Sequence, residues 1–293
     1  MKIYLLVLLI IIGLTYQVQG QSQSDLLNKS YNEKSLELLC QFFDNWSNET
    51  SISDSDYREL NDTSKAIYNV FKEFYKPTQL SRLSNSDWND SVYLKSKYFI
   101  VQNSIDKILF TYKIYFTDSE IDSFATAKIS FLYKADTLKK NELLKRENGK
   151  LKKHIIDAFG PKYWQQYDSK SIIVDSLFRL YPLIDYSEIK PLILTSKYEK
   201  LMNEFLGAKY GLKKNIKKDY QSRKEFLDNL ITFHSGDYGW NLVTYPYVNS
   251  ITFDKNMKYA KIEFEIFRRG GIAILERKGN NWRIIQIERT WVE

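Results

Sequence analysis

Two histidines and a single cysteine, Cys40, leave few side chains able to act as nucleophile, base or metal ligand. His-Glu-x-x-His, Gly-x-Ser-x-Gly, the glycine-rich phosphate loop and paired cysteines are all missing from the sequence, which removes the strongly specific motifs. His154 follows Leu151-Lys152-Lys153 in a basic run and reads as a surface residue. His234 is placed differently, because it precedes Ser235-Gly236-Asp237-Tyr238-Gly239-Trp240, a glycine-rich loop carrying a carboxylate and two aromatics. Loops held by a rigid scaffold carry sites more often than cores do. A second set of polar groups lies in Lys261-Ile262-Glu263-Phe264-Glu265-Ile266, whose strict alternation puts Glu263 and Glu265 on one strand face. One histidine and scattered carboxylates do not define a coordination sphere, so neither a metal nor any other cofactor is expected.

Aromatic residues are the other lead. The chain has 22 tyrosines and 6 tryptophans, and Tyr163, Trp164, Tyr167, Tyr238, Trp240, Tyr245 and Tyr247 cluster around expected loops. Flat amphipathic rings can stack on sugars or line an apolar pocket. Tyr238 and Trp240 rank first, since the glycines beside them let a ligand approach closely. Together with Glu263 and Glu265 they form the candidate ligand-binding set. The competing reading is structural: most aromatics pack a core, and glutamates at alternate strand positions commonly form the wet face of a sheet.

These residues need elements to hold them. Leu26, Leu27, Leu36, Leu38, Leu39, Phe42, Phe43 and Trp46 keep one helical face apolar, and the pattern stops in the polar stretch 47–56. Asn61 or Asp62 caps a second helix through Ala66, Ile67, Val70, Phe71 and Phe74, which must end before Pro77. These two helices are expected to pack together. Residues 91–101, 107–116 and 124–133 are rich in Tyr, Phe, Ile and Val and read as a central β-meander. Residues 137–167 then read as helical with a break at Gly160-Pro161, and 171–183 as extended. Thr195 caps a further helix that stops at Gly207, and another runs over 222–231. Strand patterns over 241–247, 249–253, 260–268, 272–277 and 282–291 end the chain. Gly279 and Asn280 form a hairpin turn, and Gly270-Gly271 a turn or bulge. The expected fold is α+β: N-terminal helices followed by antiparallel sheet, then a C-terminal antiparallel meander of about four strands packed on helices.

Location follows from the first residues. Met1 and Lys2 precede an apolar run over 3–14, and Val18-Gln19-Gly20 offers small residues for a peptidase, so residues 1–20 read as a signal peptide cleaved after Gly20. The run is about a dozen residues, short of the roughly 20 that span a bilayer. No cysteine directly follows it to carry a lipid, so the mature protein is expected to be secreted or periplasmic with no membrane span. Residues 21–293 then form one integrated unit, because no Pro/Gly/Ser linker divides them; a subdivision into 25–150 and 151–293 is the alternative. The net charge of +7 arises from 43 basic and 36 acidic residues that are interspersed, with denser basic stretches at 139–153 and 213–224. An exported protein does not meet the genome, and mixed Lys/Glu helices are ordinarily solvated faces, so nucleic acid is not an expected partner. A lone Cys40 in an apolar run reads as a buried thiol.

The ending, from Tyr259-Ala260-Lys261-Ile262-Glu263-Phe264 through Arg269-Gly270-Gly271-Ile272-Ala273 to Asn281-Trp282-Arg283 and Thr290-Trp291-Val292-Glu293, resembles the last strands of nuclear-transport-factor-like proteins, a cystatin-like cone. The segments 61–77, 98–103, 192–207 and 234–240 also resemble a group of uncharacterised secreted bacterial proteins. The cone type implies a curved antiparallel sheet wrapped on helices. Its enzymes use an acid–base His or Asp inside a cavity, which would cast His234 and Asp237 as a catalytic pair with Glu263 or Glu265 as an extra carboxylate. The fold also hosts noncatalytic modules, and fold alone does not choose. The leading expectation is an exported noncatalytic module binding a small molecule, glycan or protein partner. The alternatives are a cone-fold lyase, isomerase or hydrolase using His234 and Asp237, and a structural protein of an envelope assembly.

Overall fold

The computed structural model describes residues 23–50, 54–83, 90–111, 113–115, 119, 190–207, 219–232, 234–236, 239–267 and 269–292. The segment 1–20 expected to be a signal peptide, the expected strand over 124–133, the elements expected over 137–183, His154, Tyr163, Trp164 and Tyr167 lie outside them.

The first apolar stripe is divided between two helices, α1 (residues 23–32) and α2 (Leu36–Thr50). Lys34 sits in the left-handed region at φ 53°, and the Ser35 hydroxyl accepts from the Leu38 amide at 3.3 Å, so the chain breaks and restarts with a new cap. Leu39, Phe42, Phe43 and Trp46 of α2 are buried at i, i+3, i+4 and i+7 spacing. The polar face that suggested a loop after Trp46 instead binds strand β3 (Lys190–Ile193). Trp46 Nε1 donates to the Ile193 carbonyl at 2.7 Å, Ser47 Oγ to the Pro191 carbonyl at 3.0 Å, and Thr50 Oγ1 accepts from the Ile193 amide at 3.3 Å. Three side chains of one helix thus satisfy a strand edge that would otherwise seek a partner.

A short helix α3 (Asp54–Glu59) leads into α4 (Asp62–Phe74), where the Asn61 side chain accepts from the Ser64 amide at 2.8 Å as expected of a cap. After Pro77 the chain makes two 3-10 turns (Pro77–Leu83 and Asp90–Tyr93) before β1 (Tyr98–Val101). The first two of the expected central strands do not pair with each other. β1 pairs in parallel with β3, and β2 (Lys107–Thr111) pairs in parallel with β6 (Tyr247–Asp254). Gln102 explains the separation: its Oε1 accepts from the Val248 amide at 2.7 Å and its Nε2 donates to the Val248 carbonyl at 2.8 Å. One side chain thereby occupies the start of β6 as a ladder partner would.

Helix α5 (Ser196–Leu206) follows Thr195 and stops at Gly207, φ 68°, whose amide closes on the Asn203 carbonyl. Helix α6 (Tyr220–Leu227) precedes the hairpin β4 (His234–Gly236) and β5 (Gly239–Asn241). The main sheet then completes itself with β7 (Tyr259–Ile266), β8 (Arg269–Lys278) and β9 (Asn281–Val292), in the order β2-β6-β7-β8-β9 and antiparallel from β6 onward. The class is α+β, with a four-stranded antiparallel C-terminal meander.

Alternation in β1 serves two cores. Tyr98 and Ile100 join Leu39, Phe42, Trp46, Tyr198 and Phe205 in the helical core, whereas Phe99 and Val101 join α4 and the main sheet. The opening helices α2 and α4 therefore belong to different cores. Trp46 and Tyr198 stack at 4.4 Å with rings 2° from parallel, and Phe74 meets Phe264 at 5.0 Å. Gly271 lies within β8, where the pairing with β9 shifts register, and a Cβ there would come within 2.4 Å of the Phe264 ring. Chain reversal falls just before, between the paired Ile266 and Arg269, with Phe267 at φ 55°.

Candidate functional site

The sequence-selected loop is the hairpin β4–β5. Its register sets His234 opposite Asn241, Ser235 opposite Trp240 and Gly236 opposite Gly239, while Asp237 and Tyr238 lie outside the described residues. The chain beyond it is firmly held. The Thr244 amide donates to the Ile100 carbonyl at 2.7 Å, its hydroxyl accepts from the Ile100 amide at 3.0 Å, and the Tyr245 amide donates to the Tyr93 hydroxyl at 2.9 Å. Leu242 belongs to the helical core and Tyr245 to the sheet core, so the hairpin springs from the seam between them.

Glu263 and Glu265 are on the other side of the main sheet from its core. Ala260, Ile262, Phe264 and Ile266 of β7 are buried in the core that α4 shares, and the intervening Lys261, Glu263 and Glu265 are half-buried on the outer face. Two cross-strand rows organise that face: Lys107, Ser250, Glu263 and Ile272, then Leu109, Thr252, Lys261 and Ile274. Lys261 Nζ lies 2.7 Å from Glu263 Oε1, with the two side chains 31% and 46% exposed. Tyr259 ends the β7 row, with the Tyr115 ring 5.1 Å away. Glu265 stands opposite Tyr247 and Gly270.

The electrostatics of this face are settled by its lysines. Burial of Glu263 favours the neutral acid, but its hydrogen bond to Lys261 and the charges of Lys261 and Lys107 outweigh that effect and hold the carboxyl below the usual glutamate range. Ser250 and Thr252, only 2% and 6% exposed, present hydroxyl oxygens with no hydrogen-bond partner among the described residues. The Ser250 hydroxyl makes no hydrogen bond of good geometry to Glu263, yet it is near enough to favour the ionised form. Buried hydroxyls in native proteins nearly always find partners, so two together on one strand face are unusual.

Other candidates resolve into structural roles. Arg223, from the second basic stretch, bonds Asp219 at 2.6 Å and lies over the rings of Tyr31 and Phe205 at 4.7 and 4.8 Å. Cys40 is a free, half-buried thiol packed against the helical core. Among the described residues, no group of three or more His, Cys, Asp and Glu could hold a metal ion, and no helix is long and apolar enough to cross a membrane.

Sequence reading missed Ser250, Thr252 and Lys261 as a unit with Glu263. The available signal was Ser250-Ile251-Thr252-Phe253-Asp254, in which short hydroxyls replace the Lys and Glu expected of a fully wet face. The chain matches no protein-family model, no curated protein and no solved structure.

Proposed function

We propose that this chain is an exported, noncatalytic binding module of the nuclear-transport-factor-like cone type, whose ligand is a small molecule, a glycan or a protein partner. Its contacts would come from the outer face of the main sheet around Glu263 and Glu265, and from the β4–β5 hairpin with Tyr238 and Trp240. The observation that carries this reading is the state of Glu263. A general acid or base works best with a pKa near the operating pH, which for a carboxylate means one raised by burial. Glu263 is shifted the other way, so it presents a fixed negative charge beside a fixed positive one. A carboxylate held ionised beside an ammonium group suits recognising and orienting a ligand better than storing a proton near neutral pH.

The test is a thermal-shift screen of the purified protein against glycans, lipids and metabolites, followed by product analysis of any ligand that binds. A ligand present at 100 times its Kd stabilises the native state by about 2.7 kcal/mol. Binding without chemical change, weakened in Glu263→Gln, supports the proposal. Turnover that disappears in His234→Ala or Asp237→Asn would replace it with the acid–base enzyme.

A further inference from the structure

The outer-face site has a composition that selects among ligand classes. Ser250 and Thr252 each carry a hydroxyl that can donate and accept, and both are more than nine-tenths buried without a partner among the described residues. Their Cα atoms, two residues apart on β6, are spaced by about 7 Å on the same face. Each has a long charged cross-strand neighbour, Glu263 for Ser250 and Lys261 for Thr252. Lys107 flanks Ser250 on the opposite side, and half-buried Ile272 and Ile274 continue the rows on β8.

Charge excludes the extremes. An anion drawn to Lys107 and Lys261 would meet the Glu263 carboxylate, and a cation drawn to Glu263 would meet two ammonium groups. An apolar ligand would leave the hydroxyls unsatisfied and would have to strip water from the ion pair. A neutral molecule bearing several hydroxyls fits every group present: it accepts from Lys261, donates to Glu263, and exchanges hydrogen bonds with Ser250 and Thr252. Its C–H faces would rest on Ile272, Ile274 and the Tyr115–Tyr259 pair.

Resting on the binding-module reading above, we infer that the outer face of β6–β7 is a saccharide subsite, in which Ser250 Oγ and Thr252 Oγ1 bond ligand hydroxyls and the Lys261–Glu263 pair parts to admit them. A pair this exposed is held only weakly and is easily parted. The shared chemistry is a neutral polyol, whether as a free sugar or as a residue of a neutral polysaccharide.

Isothermal titration of the purified protein would use glucose, N-acetylglucosamine and their β-linked dimers, with glucuronate and glucosamine as charged counterparts. Retention on insoluble neutral polysaccharide serves as a parallel arm. We expect binding of at least one neutral saccharide, free or polymeric, at least tenfold tighter than its charged counterpart. Thr252→Val and Ser250→Ala should each weaken it tenfold or more while the unliganded variants melt no lower than the parent. Preference for a charged sugar, or neutral-sugar binding untouched by both variants, would overturn the subsite. Should a ligand of another class bind while no saccharide does, the subsite falls and the binding-module reading stands. If no saccharide, lipid or metabolite binds, the subsite falls and the binding-module reading narrows to a protein partner.

Discussion

Replacing Thr252 by Val should stabilise this protein, which is the reverse of the usual outcome for a buried residue. Thr252 is 6% exposed and its hydroxyl oxygen has no partner among the described residues, so the folded state carries the desolvation of that group uncompensated. Such a group costs roughly 1–3 kcal/mol, and valine has nearly the same shape and an equal liking for a strand. For a chain of this size each kcal/mol moves the melting point by about 2–4 °C, so a rise of roughly 2–12 °C is expected. Thermal and urea unfolding followed by far-UV circular dichroism would measure it, with an unchanged urea dependence showing that the native and unfolded states are otherwise the same. Ser250→Ala should act in the same direction but less, because alanine leaves a small void where the oxygen was. Stability gained this way should come at the expense of ligand affinity, as it does where a polar site is kept for function. A loss of about 1 kcal/mol in Thr252→Val, the ordinary result for a satisfied hydrogen bond, would refute the reasoning.

Three further outcomes follow from the packing. Gly271→Ala would drive a methyl to within 2.4 Å of the Phe264 ring, itself pressed against Phe74, and should destabilise by about 1–3 kcal/mol; a double-mutant cycle with Phe264→Leu should recover much of that loss. Gln102→Leu removes both bonds to Val248, leaving a buried amide and carbonyl unpaired, and should lower stability in urea unfolding by about 2 kcal/mol or more. Burial raises the phenol pKa of Tyr93, Tyr98 and Tyr198, with the nearby carboxylates Asp44 and Glu49 adding to the shift of the last two. Because their folded pKa values exceed the unfolded value of about 10, the stability they contribute is complete below that pH and is lost as pH rises above it. An absorbance titration at alkaline pH should therefore show these tyrosines ionising together with unfolding, and their smooth titration in a folded protein would contradict the packing.

What local patterns encode was readable from residues alone. Asn61, the 3.6-residue period and Pro77 located α4, Thr195 and Gly207 bounded α5, and strict alternation with Gly279-Asn280 located β7, β8 and β9. The pairing of β1 with β3 and of β2 with β6 had no such signal. Parallel strands are joined by long connections instead of by a turn, so nothing beside Tyr98 points to Lys190. The break at Lys34 was hidden because the apolar stripe runs on across it, and only the Ser35 cap marks it. Within the candidate site, Glu263 and Glu265 were legible as one face from their spacing. Ser250 and Thr252 were not, because a polar residue at an alternate strand position looks the same whether its hydroxyl is wet or buried. Their neighbours in β2 and β7 are ones that only the register reveals.

The charge state of Glu263 separates recognition from proton transfer most directly. Following its side-chain carboxyl carbon by NMR from pH 7 downward should give a midpoint below the ordinary glutamate value of about 4.3. In Lys261→Met the midpoint should move upward, since the opposing effect of burial is then left with only Ser250 and Lys107 against it. The stability that Glu263 adds is present above its unfolded pKa and disappears as pH falls through the lower folded one. A midpoint raised toward neutrality in the parent protein would contradict the binding reading and mark Glu263 as an acid–base group.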